Sequence, residues 1–244
     1  MRKEPLLPPP YRAWRLPATV DARRTAIEAA RAGIEEGVFY WVDRSDRLEA
    51  ALVLTPERPL RALYSIVYVA ALGLAGALGS VLPATATVTF AWPNWLEANG
   101  GRVGRLLLSL PACAANAVPP WLVLGIDLAL AGDPADDAPG RNRDSTNLTE
   151  EGMEGAGVAE LLEGFSRHFL VWLRTWEEDG FVPVREAWLN RCRAFPSQRP
   201  VPLPGDGAGV VLGIDDDGAL VVRQDNSRRL LAIESALASA EDWG

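Results

Sequence analysis

Trp92-Pro93-Asn94-Trp95-Leu96-Glu97-Ala98-Asn99-Gly100-Gly101-Arg102-Val103-Gly104-Arg105-Leu106 is the stretch on which the fold reading turns. Asn99-Gly100 lies between two strand-like runs, and this dipeptide favours the positive φ angles that a two-residue hairpin turn needs. On the N-terminal side, Thr85, Thr87 and Thr89 alternate with Ala86, Val88 and Phe90, the period of two of a half-buried strand that delivers Trp92 to a turn. On the C-terminal side, Arg102 to Leu110 and Trp121 to Leu130 predict further strands. Residues 86 to 130 therefore read as a meander.

Working outward, Asp21 is placed to cap a helix from Ala22 to Glu36, with Ala26, Ile27, Ala30 and Ile34 on one stripe and Gly37 as the stop. Val38 to Val42 and Ala50 to Leu54 predict strands around a polar turn from Asp43 to Arg47. From Ala62 to Leu82 no charge occurs, a length that could span a bilayer. Its Ala, Gly and Ser content and its place between strands predict a buried helix. Gly132 to Leu148 has the composition of a loop. Val158 to Glu178, with Leu161, Leu162, Phe165, Phe169, Trp172 and Trp176 at helical spacing, and Val184 to Arg193 predict helices that cover the sheet.

A Pro-rich break follows Phe195, and Gly209 to Ile233 reads as three short strands. The expected organisation is one large domain, 1–195, and a small β module, 196–244. At 244 residues and 48% hydrophobic content the chain can bury a full core. A formal net charge of -8 argues against nucleic acid as a partner. Cys113 and Cys192 show neither metal-ligand nor disulfide spacing, which makes a reduced, cytoplasmic protein without a metal the expectation. Pro8, Pro9 and Pro10 interrupt the N-terminus where a signal peptide needs an apolar helix, so this segment reads as an extended arm and no membrane partner is expected.

The Trp92 stretch resembles the W-P-N-D-x-x-x-N-G-x-K-x-x-G segment of the biotin and lipoate protein ligase superfamily. Trp92, Pro93, Asn94, Asn99 and Gly100 match it, whereas Trp95 replaces the Asp, Arg102 the Lys and Arg105 the second Gly. Gly125-Ile126-Asp127 is similar to the family's G-I-G-I-N segment, and Gly209 to Arg223 resembles part of the SH3-like module of biotin protein ligases. The resemblance implies an α+β fold: a mixed, largely antiparallel sheet backed by helices, plus a small C-terminal SH3-like β module. It also implies a pocket for biotin, lipoate or octanoate, bordered by Trp92, Asn94, Asn99, Gly100, Arg102 and Arg105, and a biotinyl or lipoyl carrier domain as partner. Self-association is left open.

The chemistry departs from that pattern. In the family the motif lysine stabilises negative charge on the acyl carbonyl and phosphate. Lys3, in the N-terminal tail, is the only lysine in this chain. Arg102 can supply charge as a broader, planar cation suited to carboxylates and phosphates, but it does not transfer protons near neutral pH. Trp95 offers a face for packing or for a flat ligand. Biotin ligases wrap the adenylate with a Gly- and Arg-rich loop, and the passage from Glu36 to Trp41 is too short and glycine-poor for one, which argues against ATP use. Octanoyl transferases of the superfamily use a cysteine thiolate, which makes Cys113 a second catalytic candidate beside Arg102. His168, the only histidine, reads as a structural imidazole on a helix. Asp136-Asp137 and Asp215-Asp216-Asp217 read as loop and turn, without the ligand spacing of a calcium loop. Three readings stay open: a small-molecule pocket with altered or lost ligase chemistry, a functional acyltransferase or ligase modifying a carrier-protein lysine, and a non-catalytic protein-interaction module.

Overall fold

The computed structural model describes residues 3–33, 36–132, 144–197, 200–203 and 207–241. In chain order the first part comprises β1 (Arg12–Leu16), α1 (Ala22–Arg31), β2 (Val38–Val42), β3 (Arg47–Leu54), α2 (Leu60–Leu63), α3 (Ile66–Val81), β4 (Val88–Ala91), β5 (Trp95–Ala98), β6 (Gly101–Ser109) and β7 (Leu122–Ala129). Then come α4 (Val158–Glu178), α5 (Phe181–Leu189), β8 (Val201–Pro202), β9 (Ala208–Ile214), β10 (Leu220–Gln224), β11 (Ser227–Leu231) and α6 (Ile233–Glu241). β1 to β7 form one sheet in the order β1-β2-β3-β7-β6-β5-β4, and β8 to β11 form a second, four-stranded sheet. Only β1 and β2 pair in parallel; the other neighbours in the large sheet are antiparallel. The meander expected over 86–130 is the run β4 to β7.

The period of two assigns the strands' faces. Phe39, Trp41, Leu48, Ala50, Leu52, Leu96, Leu106, Leu124, Ile126 and Leu128 join the core against α3 and α4. α3 is apolar on every side because sheet and helix enclose it, and 78% of the most apolar window of Leu60–Val81 is buried within the fold. Its small residues let α4 approach closely. A Cβ on Gly73 would lie 3.0 Å from the Phe169 Cα, and one on Gly76 would lie 2.5 Å from the His168 ring. His168 is therefore a helix-packing residue.

The opposite face is covered over only part of its width. Ala22, Ala26, Ala29 and Ala30 of α1 pack on Val38, Tyr40, Val42, Ala51, Val53 and Val123. Asp21 caps α1 as expected, accepting the Arg24 N–H at 2.7 Å. The helix ends at Arg31 rather than Glu36, because Ala32 takes the cap and Gly33 turns left-handed at φ +77°. Ile34 and Glu35 lie outside the described residues. Two elements were not expected, the edge strand β1 in the N-terminal arm and α6 after the last strand; β3 begins at Arg47 rather than Ala50, and the helix expected over Val184 to Arg193 runs from Phe181 to Leu189. Most of the loop expected over Gly132 to Leu148, with Asp136 and Asp137, falls outside the described residues. Val211, Ile214, Leu220, Val222, Ile233 and Leu237 of the C-terminal segment share the main core cluster.

Candidate functional site

A β-bulge shapes the family-like segment. Trp95 pairs with Arg105 and Leu96 with Gly104, but Glu97 pairs with Arg102, so Val103 is the extra residue on β6. Arg102 and Arg105 are three positions apart and would point to opposite faces of a regular strand. With Val103 turned into the core, both reach the same face. Their guanidinium carbons lie 4.7 Å and 5.5 Å from the centroid of the Trp95 ring, so one half-buried indole supports two cations.

This pair belongs to a row that crosses the sheet. Trp95, Arg105, Asp127 and Glu49 are successive register partners on β5, β6, β7 and β3. Asp127 takes a two-pronged ion pair from Arg47, whose Nη2 lies 2.8 Å from Oδ2. Glu49 accepts the Ala22 N–H at 2.9 Å, placing a carboxylate at the positive end of α1. Arg23, one residue further along α1, donates from Nε to the Ser109 hydroxyl at 2.9 Å. Its side chain crosses Gly125, where a Cβ would stand 3.6 Å from the Arg23 Cδ. The face beyond α1 is thus carpeted by arginines, each held by an aromatic ring, a carboxylate or a hydroxyl.

Glu97, two residues after Trp95 on β5 and the register partner of Arg102, is 1% exposed. The Arg193 Nη2 is 3.1 Å from Oε1, and the Thr89 hydroxyl donates to Oε2 at 3.2 Å. Burial raises the carboxyl's pKa from its ordinary value, against the opposing pull of Arg193, Thr89 and Arg102.

The other expected pocket residues are bonded into the frame. The Trp92 Nε1 donates to the Tyr68 hydroxyl at 2.8 Å. Asn94 is buried and donates from Nδ2 to the Leu106 carbonyl at 2.6 Å, while that residue's N–H returns a bond of 2.9 Å to the Asn94 carbonyl. Asn99, at φ +48°, caps the hairpin, accepting from the Thr87 N–H and donating to Glu151 at 2.6 Å. The Gly100 carbonyl accepts from Arg193. Cys113 is half-buried in a cavity of about 410 Å³ with Arg61, Tyr64, Asp217 and Glu234, between α2 and the C-terminal segment. His168 packs instead on Gly76, near the middle of α3 and twelve residues along the chain from Tyr64. Asp215 closes its own turn, accepting the Asp217 and Ala219 N–H groups. Lys3 pairs with Glu160 at 3.0 Å and Glu163 at 3.5 Å on α4, on the other side of the sheet.

The family model described as the biotin/lipoate A/B protein ligase family matches residues 7–190. The chain belongs to that family. It is 30% identical over 218 residues to the biotin--[acetyl-CoA-carboxylase] ligase of Paracoccus denitrificans, which covers 88% of this chain and 87% of the relative. A biotin protein ligase-like protein of unknown function from Silicibacter sp. TM1040 superposes with a TM-score of 0.85 at 28% identity, covering 94% of this chain and 97% of that one. The biotin protein ligase of Aquifex aeolicus shares the fold, with a TM-score of 0.71 at 17% identity over 91% of this chain and 96% of that one.

Within this biotin/lipoate ligase fold, the three departures from the family pattern, Trp95, Arg102 and Arg105, are the residues that meet in space. Sequence reasoning singled out both arginines but missed Arg23, Arg47, Glu49 and Glu97. The register of β3, β6 and β7 brings Arg47 and Glu49 onto the same face, and pairing distance is not visible in spacing along one strand. Chemically, the cluster offers fixed positive charge and an aromatic surface. It offers no group among these arginines that gives up a proton near neutral pH.

Proposed function

We propose that this family member holds a carboxylate-bearing small molecule of the biotin, lipoate or octanoate type on the sheet face marked by Trp95, Arg102 and Arg105, without forming an acyl-adenylate. The observation that carries the reading is the convergence of two guanidinium groups on one indole. A planar cation already held against a ring gives up less freedom when it binds a carboxylate, and guanidinium N–H pairs match carboxylate geometry. The ligand's apolar ring or chain would lie on the remaining indole surface and along β6.

Two features support altered rather than ordinary ligase chemistry. Lys3 is engaged by Glu160 and Glu163, remote from the motif. Neither Glu36-Gly37 nor the turn Asp43 to Asp46 provides a run of glycines to wrap an adenylate. A thiolate route through Cys113 does not fit this site, because that thiol lines a cavity against the C-terminal segment whose lining includes none of Trp95, Arg102 and Arg105. A carrier domain, if it docks, would be bound rather than modified by this protein.

The test is thermal melting with biotin, lipoate and octanoate in turn, since a ligand at a hundred times its Kd adds about 2.7 kcal/mol to the folded state. At least one of the three is expected to raise the melting temperature, and Arg102→Ala combined with Arg105→Ala is expected to remove the shift. No shift with any ligand overturns the reading. So does ATP-dependent amide formation on the lysine of an apo carrier domain.

A further inference from the structure

On the side of the sheet away from Trp95, a cavity of about 540 Å³ opens between the ends of β3 and β7, the start of α3, α4 and the N-terminal arm. Its walls are apolar: Leu54 and Leu122, paired at the end of the β3–β7 ladder, with Leu63, Ile66, Leu170 and Leu173. Its rim is anionic. Glu36, Glu57 and Glu177 border it, all three exposed, and none makes an ion pair among the described residues. Arg58, the one basic residue among the described residues of the lining, is directed to the end of α4, within electrostatic reach of the Glu177 carboxylate. Its Nη2 donates to the Trp176 and Glu177 carbonyls at 3.0 Å each, and its guanidinium lies 4.5 Å from the Trp176 ring centroid.

Tyr11 adds an independent observation. It lines the same cavity, is 6% exposed, and its hydroxyl is buried with no hydrogen-bond partner among the described residues. An unmatched buried hydroxyl costs free energy that a bound polar group would recover. Burial raises this phenol's pKa, and the charges of Glu177 and Glu36 raise it further, so the hydroxyl sits in a negative field.

We propose that this cavity binds a small organic cation with an apolar body, a protonated alkyl- or arylalkylamine, with the ammonium at the Glu36, Glu57 and Glu177 rim and the body against the leucine walls. The ammonium supplies N–H donors to the carboxylates and to the Tyr11 hydroxyl oxygen, and the apolar body displaces water from the leucines. The site is separate from the arginine-bearing face and selects the opposite charge.

Calorimetric titration of the full chain with tryptamine and with indole-3-propionate compares one ring system carrying opposite charges. Tryptamine is expected to bind and indole-3-propionate not to, with tryptamine affinity falling as salt is raised. Replacing both Glu57→Gln and Glu177→Gln, at exposed positions that leave the fold intact, is expected to weaken tryptamine by about threefold to tenfold. Leu170→Trp is expected to fill the cavity and abolish binding, whereas Arg102→Ala with Arg105→Ala leaves it unchanged. Failure of tryptamine to bind, equal binding of the two probes, or loss of binding in the arginine double variant overturns the proposal.

Discussion

Trp92 and Tyr68 tie the family-like corner to the C-terminal sheet. The indole Nε1 donates to the Tyr68 hydroxyl at 2.8 Å, and that hydroxyl donates to the Gly218 carbonyl at 2.6 Å in the turn between β9 and β10. Tyr68 is fully buried on α3 and Gly218 is buried beside it, whereas Trp92 is half-buried. Tyr68→Phe is expected to destabilise the protein by about 1–3 kcal/mol, because it leaves an indole N–H and a carbonyl unmatched. Urea denaturation checks this, and a loss no larger than that of an exposed Tyr→Phe change would show the link to be energetically idle.

Glu97 sets an expected pH dependence. Its carboxyl is buried, and its pKa is raised above the ordinary 4.5. A carboxyl with a higher pKa in the folded state holds its proton more tightly there than in the unfolded chain. Its contribution therefore favours the fold below pH 4.5 and is lost as pH rises through the folded-state value. Glu97→Gln removes that titration. The stability of the variant minus that of the wild type is expected to rise across this window and to be flat on either side, measured by urea denaturation at a series of pH values. A difference that falls with pH would mean that the Arg193 ion pair outweighs burial.

The large sheet was legible because its signals are local: the Asn99-Gly100 turn, the Thr85 to Phe90 alternation and the uncharged stretch from Ala62 each act within a few residues. The end of α1 was misplaced because the apolar stripe continues to Ile34 and points to Gly37 as the stop, whereas Gly33, left-handed directly after the last helical turn, ends the helix first. The candidate site was half legible. Arg102 and Arg105 were visible as departures from a family pattern, but the bulge at Val103 that puts them on one face leaves no signature in spacing. The Arg47–Asp127 pair joins residues eighty positions apart and depends on the register of β3 against β7.

The two thiols should differ sharply in reactivity. Cys192 is buried, and burial pushes its pKa up to about 11, so little thiolate exists near neutral pH. Cys113 is half-buried at the edge of a cavity. A thiol-specific disulfide reagent at mildly alkaline pH is expected to modify Cys113 quickly and Cys192 only after unfolding. Modification of Cys113, or Cys113→Ala, is expected to leave binding of an acyl ligand on the arginine face unchanged. Loss of that binding would bring the thiol back into the site.

Gly104 is the position where the bulge is most sensitive to substitution. A Cβ there would stand 2.1 Å from the Asp127 carbonyl oxygen and 2.6 Å from the Leu128 Cδ2. The first neighbour is backbone of β7 and cannot rotate aside, so Gly104→Ala must open the β6–β7 ladder beside the Arg47–Asp127 pair. A loss of about 1–3 kcal/mol or more is expected, the usual cost of overpacking a closed site. Gly79 is the contrasting case: it lies near the end of α3 with nothing within 4 Å of its added Cβ. Gly79→Ala is expected to stabilise by roughly 0.5–1 kcal/mol through helix propensity and reduced freedom of the unfolded chain. Because Arg102 and Arg105 flank the bulge, Gly104→Ala should also weaken an anionic ligand at temperatures where the variant is still folded, whereas Gly79→Ala should not. Equal tolerance of the two alanines in thermal melts would contradict the register assigned to β6.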